Sequence, residues 1–224
     1  MKYLFSYKIF ENEKTRTKPL TQEEFVNLIK TNCTQFNFEN DQLYRGCGDI
    51  GEFAYYHEKE RLGTYGDGYP YYPFFQARNE YPVPRYKSII GSTSILAASV
   101  FGMFSKCIYL IIPFDNSKVI ICPGPDMAAG VARRKDITYT DEMFTMIEYS
   151  SNFHINKQEI QKKIDLLGQQ TGRSVPISKA GVEIFTNSDC LFYCLGEVKS
   201  LNVNNKINQE LIEQKINHLK QLIK

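Results

Sequence analysis

The chain has 224 residues, 42% of them apolar, and a formal net charge of +2 at neutral pH. That is enough apolar material for the core of one full-sized domain with a small appendage, and the near-balanced charge does not by itself point to a nucleic-acid partner. No apolar run approaches the roughly 20 residues a membrane helix needs, and Met1-Lys2-Tyr3-Leu4-Phe5 lacks the apolar core and small-residue cleavage pattern of a secretory signal.

Tyr3 to Phe10 alternates loosely and predicts a first strand, and the charged stretch Glu11 to Lys18 predicts a loop. Thr21-x-x-Glu24 is a capping box, and Phe25, Val26, Leu28 and Ile29 supply the apolar stripe of a helix ending near Cys33. After an Asn-rich loop, Gln42 to Arg45 reads as a short strand stopped by Gly46 and Gly48. Tyr55 to Pro84 is dense in Tyr, Pro, Gly and Phe. Its prolines exclude an interior helix and its aromatics argue against disorder, so an ordered aromatic loop over a site or a core is expected.

Ser88 to Ser92 predicts a strand and Ile95 to Phe104 a mostly buried helix rich in small residues. Cys107 to Pro113 and Lys118 to Cys122 are apolar strands around Asp115-Asn116-Ser117, the pattern of a hairpin. Asp141 to Tyr149 and Asn156 to Leu167 read as helices, the second closed by Gly168. Glu183 to Thr186 and Cys190 to Leu195 predict a second hairpin around Asn187-Ser188. In the tail, Ile207, Leu211, Ile212, Ile216, Leu219, Leu222 and Ile223 form the stripe of an amphipathic helix, with Asn204 or Asn205 as its cap. That stripe docks on its own domain or presents a face to a partner.

The order of elements predicts an α+β fold with mainly antiparallel strands and helices in separate blocks. The expected organisation is one domain over residues 1–200, with a helical insertion at 126–180, followed by a C-terminal amphipathic helix at 201–224. Six cysteines lack a framework spacing. Cys190 and Cys194 fall on one face of an apolar strand with no second pair or histidine to complete a metal site, so reduced core thiols in a cytoplasmic protein are expected. Arg133-Arg134-Lys135 and Lys162-Lys163 read as solvated faces.

Several chemistries find no support. His57, His154 and His218 sit in no motif with a cysteine, and no P-loop occurs. Gly46-Cys47-Gly48-Asp49-Ile50-Gly51 holds Gly-x-Gly-x-x-Gly after a strand, but no βαβ unit follows, which argues against a Rossmann site. The same loop beside Arg45 can instead shape a cleft.

Three segments carry a different chemistry. Leu43-Tyr44-Arg45-Gly46 offers an arginine whose planar fork binds phosphate oxygens bidentately, next to a glycine that lets a ligand approach the backbone. Gly91-Ser92-Thr93-Ser94 is a polar turn between a strand and the helix containing Ala97, Ala98 and Phe101. Gly181-Val182-Glu183-Ile184-Phe185 places a carboxylate at the start of an apolar strand.

In this order, the strand-borne Arg, the Ser-Thr-Ser and the strand-borne Glu resemble the signature of the Arg-Ser-Glu, toxin-like branch of the ADP-ribosyltransferases, over roughly Gln42 to Leu195. The resemblance implies a split β-sheet core with flanking helices and NAD as substrate. It implies a mono-ADP-ribosyltransferase acting on a protein or nucleic-acid target, as a toxin or a phage- or defence-related effector that an antitoxin would restrain; the short apolar runs separately predict no membrane partner. Arg45 would bind the NAD phosphates with Gly46, Ser92, Thr93 and Ser94 around the dinucleotide. Ser92 would brace the site, and Glu183 would act as the catalytic carboxylate.

Three departures qualify this. The family often carries Glu or Gln two positions before the catalytic Glu, where it helps select the acceptor, and here that position is Gly181, so arginine-directed modification is not implied. The span from Ser92 to Glu183 is long. Asp126, in Pro123-Gly124-Pro125-Asp126 after the Lys118 to Cys122 strand, is a rival carboxylate, while Glu142 and Glu148 fall on an expected helix. Tyr69, Tyr71, Tyr72, Phe74 and Phe75 are candidates for stacking on the rings of NAD, and Arg78 and Arg85 for further phosphate contacts. The alternative is a catalytically silent binding or assembly protein on the same scaffold, using the C-terminal helix as its interface.

Overall fold

The structure, a computed structural model, describes residues 17–57, 88–101, 106–121, 145–148, 181–203 and 206–224, with residues 158, 161–162, 165–166 and 169 between them. Tyr3 to Phe10, the aromatic segment Tyr69 to Phe75, Arg78, Arg85, Asp126, Glu142, Asn204 and Asn205 lie outside the described residues. In chain order the elements are β1 (Thr17–Pro19), α1 (Gln22–Asn32), β2 (Leu43–Cys47), β3 (Phe53–Tyr56), β4 (Ile89–Ser92), α2 (Ile95–Phe101), β5 (Cys107–Pro113), β6 (Lys118–Ile121), β7 (Thr145–Glu148), β8 (Glu183–Thr186), β9 (Cys190–Glu197), α3 (Val198–Leu201), β10 (Asn202–Val203), β11 (Lys206–Ile207) and α4 (Gln209–Ile223).

The fold is α+β. Nine strands form one sheet in the order β1-β3-β9-β5-β2-β4-β8-β6-β7, and β10 and β11 form a separate ribbon. Every pairing among the described residues is antiparallel, which removes the parallel pattern a dinucleotide fingerprint at Gly46 to Gly51 would require.

Four sequence expectations are corrected. The strands at Cys107 and Lys118 exist but are not hairpin partners: β5 pairs with β2 and β9, and β6 with β7 and β8. The same holds for Glu183 and Cys190, since β8 pairs with β4 and β6 while β9 pairs with β3 and β5. Thr145–Glu148, inside the expected helix at Asp141 to Tyr149, is a strand pairing along β6, so the 126–180 region is not wholly helical. The cap of the tail helix is Asn208, whose side chain accepts from the Leu211 amide at 3.1 Å, and Ile207 belongs to β11.

Boundaries also move. Thr17–Pro19 is a strand at the end of the expected loop, β2 runs on through Gly46 to Cys47, and Phe53–Tyr56 is a strand that includes Tyr55 and Tyr56, the first two residues of the expected aromatic loop. Residues 158, 161–162 and 165–166 are helical, as the Asn156 to Leu167 pattern predicts.

Two short links show that the sheet is folded on itself. β8 and β9 stand four strand spacings apart, about 19 Å in a flat sheet. The chain from Thr186 to Cys190 spans about 14 Å at full stretch. β5 and β6, also four spacings apart, are joined by 114–117, which reaches about 17 Å. The two links run together: the Ser117 hydroxyl donates to Ser188 Oγ, the Lys118 amide to Asn187 Oδ1 at 3.0 Å, and the Phe114 amide to the Asp189 carbonyl at 3.1 Å. Asp115 ties this junction to the end of α1, accepting from the Thr34 amide at 3.0 Å, the Thr34 hydroxyl at 2.7 Å and the Gln35 amide at 2.9 Å.

The fold centres on a seam. β2 pairs with β5 from Leu43 to Cys47, and β4 pairs with β8 from Ile89 to Ser92. Between β2 and β4 the register holds one pair, Tyr44 opposite Ser92. A continued ladder would set Gly46 opposite Ile90, and that pair is not formed.

One face of β3 and β9 is covered by α1 and α4, where the rings of Phe25, Phe53 and Tyr193 meet at centroid distances of 5.0 to 6.3 Å. The capping box forms as the sequence predicts: Thr21 Oγ1 accepts from the Glu24 amide, and Glu24 from the Thr21 amide at 2.8 Å. α4 buries Ile212, Ile216 and Leu219, while Gln209, Glu210, Glu213, Gln214, Asn217, His218 and Gln221 are exposed. Its apolar stripe therefore docks on its own domain. Leu219→Ala is expected to cost about 2–5 kcal/mol in urea unfolding, because Leu219 is fully buried and truncation leaves a cavity.

Candidate active site

The folding brings the three sequence segments onto neighbouring strands, in the order β2, β4, β8. Glu183 opens β8 and lies directly opposite Ser92, the last residue of β4. Tyr44, on the other side of Ser92, completes a row of three across the seam. Side chains alternate along a strand, so Arg45, one residue beyond Tyr44, leaves β2 on the other face from that row. The structure thus sets Ser92 and Glu183 side by side, with Arg45 on the adjacent strand β2 and its side chain leaving on the opposite face.

Arg45 is 8% exposed. Its Nη1 donates to the Ile90 carbonyl at 2.6 Å, and its guanidinium lies 5.9 Å from the centre of the Tyr56 ring. The carbonyl it bonds is the one a continued β2–β4 ladder would have matched with Gly46. A backbone carbonyl away from its ladder partner takes a donor elsewhere, and here the Arg45 side chain supplies one. Tyr56 and the Ile90 carbonyl were not among the expected site residues. Tyr56 sits in the Phe-Ala-Tyr-Tyr of β3, whose strand character is obscured in the sequence by the aromatic segment that follows.

The hydroxyls of Ser-Thr-Ser all accept from backbone amides. Ser92 Oγ accepts from the Ser94 amide at 3.1 Å, and Ser94 Oγ from the Ala97 amide at 3.3 Å, which starts α2. Thr93 Oγ1 accepts from the Val182 amide at 3.0 Å, and the Thr93 amide donates to the Val182 carbonyl at 3.1 Å. Hydroxyl oxygens used in this way retain their own O–H for donation. Ser92 and Glu183 are 3% and 4% exposed, so this end of the seam holds polar groups out of bulk water.

Gly181 is a packing requirement, not merely an absent side chain. Its φ is +68°, and a Cβ there would stand 2.3 Å from Ser94 Cβ, 2.9 Å from the Ser94 amide nitrogen and 3.2 Å from Ser92 Oγ. The backbone before Glu183 is pressed onto Ser-Thr-Ser with no room for a selecting side chain at that position. Nothing in the sequence alone reveals this contact. Glu148 lies on β7 at the sheet edge, not on a helix.

Burial pushes the Cys107 thiol up to about 12 and raises Cys190 and Cys194 as well, so all three stay protonated at neutral pH. Among the described residues, no group of His, Cys, Asp and Glu could hold a metal ion, and no helix is long and apolar enough to cross a membrane. No family model, no curated protein and no solved structure matches the chain.

Proposed function

We propose that this protein is an NAD-dependent mono-ADP-ribosyltransferase acting on a macromolecular target. One observation supports the reading: residues 45, 92 and 183, far apart in the chain, stand on three adjacent strands, with Ser92 directly opposite Glu183 and Arg45 on the strand beside Ser92, its side chain on the other face of the seam. On this reading the core is the split sheet of that superfamily, and the seam between β2 and β4 receives the dinucleotide.

Arg45 would meet the diphosphate, because a guanidinium keeps its charge at any working pH and matches phosphate oxygens bidentately. The bond between nicotinamide and ribose C1′ breaks with its electron pair leaving on nicotinamide. Glu183 would hold the ribose hydroxyl through bonds that strengthen as positive charge develops on the sugar. The acceptor then bonds C1′ and gives up a proton, for which a carboxylate is a suitable base. The target is a protein or a nucleic acid, and the activity suits a toxin or defence-related effector in the cytoplasm that an antitoxin restrains.

The test is incubation of the purified chain with labelled NAD and cell lysate, followed by protease and nuclease treatment of the labelled product. Label that is lost to one treatment and not the other names the target class. Absence of both transfer and NAD hydrolysis would sink the proposal. The reading of a silent assembly protein has one observation in its favour, the Arg45 bond that closes the seam to Ile90. It predicts no heat of NAD binding by calorimetry. Its proposed interface is weakened by the docking of the α4 stripe on the domain itself.

A further inference from the structure

We propose that Thr93 is a positioning residue that sets the Glu183 carboxylate by latching the backbone immediately before it; this rests on the transferase reading of the site. The β4–β8 ladder reaches Ser92 opposite Glu183, and the next residues out are Thr93 and Val182. Two bonds join them. The Thr93 amide donates to the Val182 carbonyl at 3.1 Å, as in a ladder. The return bond is different: the Val182 amide donates to the Thr93 hydroxyl oxygen at 3.0 Å. The chain turns after Thr93 to begin α2, which takes its backbone off the strand path, and the side chain closes the pair instead.

The latch acts on the peptide that leads into Glu183. Val182 is fully buried, so its amide has no access to water if the hydroxyl is lost. Gly181, at φ +68°, is pressed against Ser94 on the other side of the same turn. The approach to β8 is therefore held by Thr93 from one residue and by Ser94 from the next. Nothing in this arrangement requires the Thr93 hydroxyl to touch NAD. A displacement of about 1 Å in a catalytic group costs up to roughly 10²-fold in rate, so loosening this turn should show in chemistry before it shows in binding.

Thr93→Val and Thr93→Ser, made in the full chain, separate positioning from bulk. Val keeps the β-branched shape and removes the acceptor; Ser keeps the acceptor. Thr93→Val is expected to lower kcat for NAD turnover by about 10–100-fold while the Kd for NAD by calorimetry moves by less than about threefold. Thr93→Ser is expected to recover kcat to within about threefold of wild type. Hydrogen exchange supplies a readout independent of activity: the Val182 amide should lose about tenfold or more of its protection in Thr93→Val and keep it in Thr93→Ser.

Wild-type kcat in Thr93→Val overturns the positioning role, as does equal loss in Thr93→Ser or a parallel fall of kcat and NAD affinity. If the wild-type chain turns over no NAD, the transferase reading falls, and with it the catalytic role of the latch. Val182 exchange then still decides whether the latch itself exists, and unchanged protection in Thr93→Val removes it.

Discussion

Glu183→Gln is expected to lower NAD turnover by about 10³-fold while leaving the unfolding midpoint within a few degrees of wild type, a loss typical of removing charge stabilisation from a transition state. The amide has the volume of the carboxylate and can still bond a ribose hydroxyl. On the transferase reading, it cannot offset the positive charge that would develop as nicotinamide departs. The environment makes the difference large: Glu183 is 4% exposed and lies opposite Ser92, so water does little to screen the missing charge.

The comparison variant is Asp126→Asn, at the rival carboxylate. It is expected to keep most of the activity, since Glu183 lies in the row with Ser92. An active Glu183→Gln together with a dead Asp126→Asn would move the carboxylate to Asp126 and refute the assignment to Glu183. Initial rates of nicotinamide release, with thermal unfolding of each variant as the control, settle which holds.

Gly181→Ala is expected to destabilise the protein by about 3–5 kcal/mol, near the upper end for a single substitution. Two costs combine. A non-glycine residue at φ +68° pays about 1–2 kcal/mol for its backbone conformation alone. The added carbon would also stand 2.3 Å from Ser94 Cβ and 2.9 Å from the Ser94 amide nitrogen, neither of which is the free end of a flexible side chain. Relief requires Ser-Thr-Ser or the start of β8 to move. Gly48→Ala is the control: a Cβ there meets nothing within 4 Å, so a change within about 0.5 kcal/mol is expected in urea unfolding. If Gly181→Ala proved as mild as Gly48→Ala, the close packing of Gly181 on Ser94 would be wrong. The same geometry excludes a larger side chain at 181, so on the transferase reading an acceptor would be chosen by other parts of the surface.

Much of the local structure was legible in the sequence, and for local reasons. Thr21 and Glu24 announce the start of α1 because a capping box satisfies two end amides within four residues. The apolar runs at Cys107, Lys118, Glu183 and Cys190 read as strands because β-branched and aromatic side chains suit a pleated, buried surface. The candidate site was legible as three short motifs. What could not be read was the seam: the Arg45 bond to Ile90, the Tyr56 ring, the Thr93 latch and the packing of Gly181 all join residues from separate strands.

The two expected hairpins show where the limit lies. A short polar link ordinarily joins neighbouring antiparallel strands, so 114–117 and 187–189 each implied a hairpin. A link constrains only the strand ends it connects. Here both links cross between the two halves of a folded sheet, and each strand pairs with segments far along the chain. Thr145–Glu148 makes the same point in reverse: its local pattern favours a helix, and pairing with β6 makes it a strand. The amino-acid sequence by itself determined which segments are apolar, where α1 begins and which polar residues have the chemistry of a site. Only the tertiary structure decided which strands meet, because backbone hydrogen bonds pair any two strands equally well and the choice rests on burial summed over the whole core.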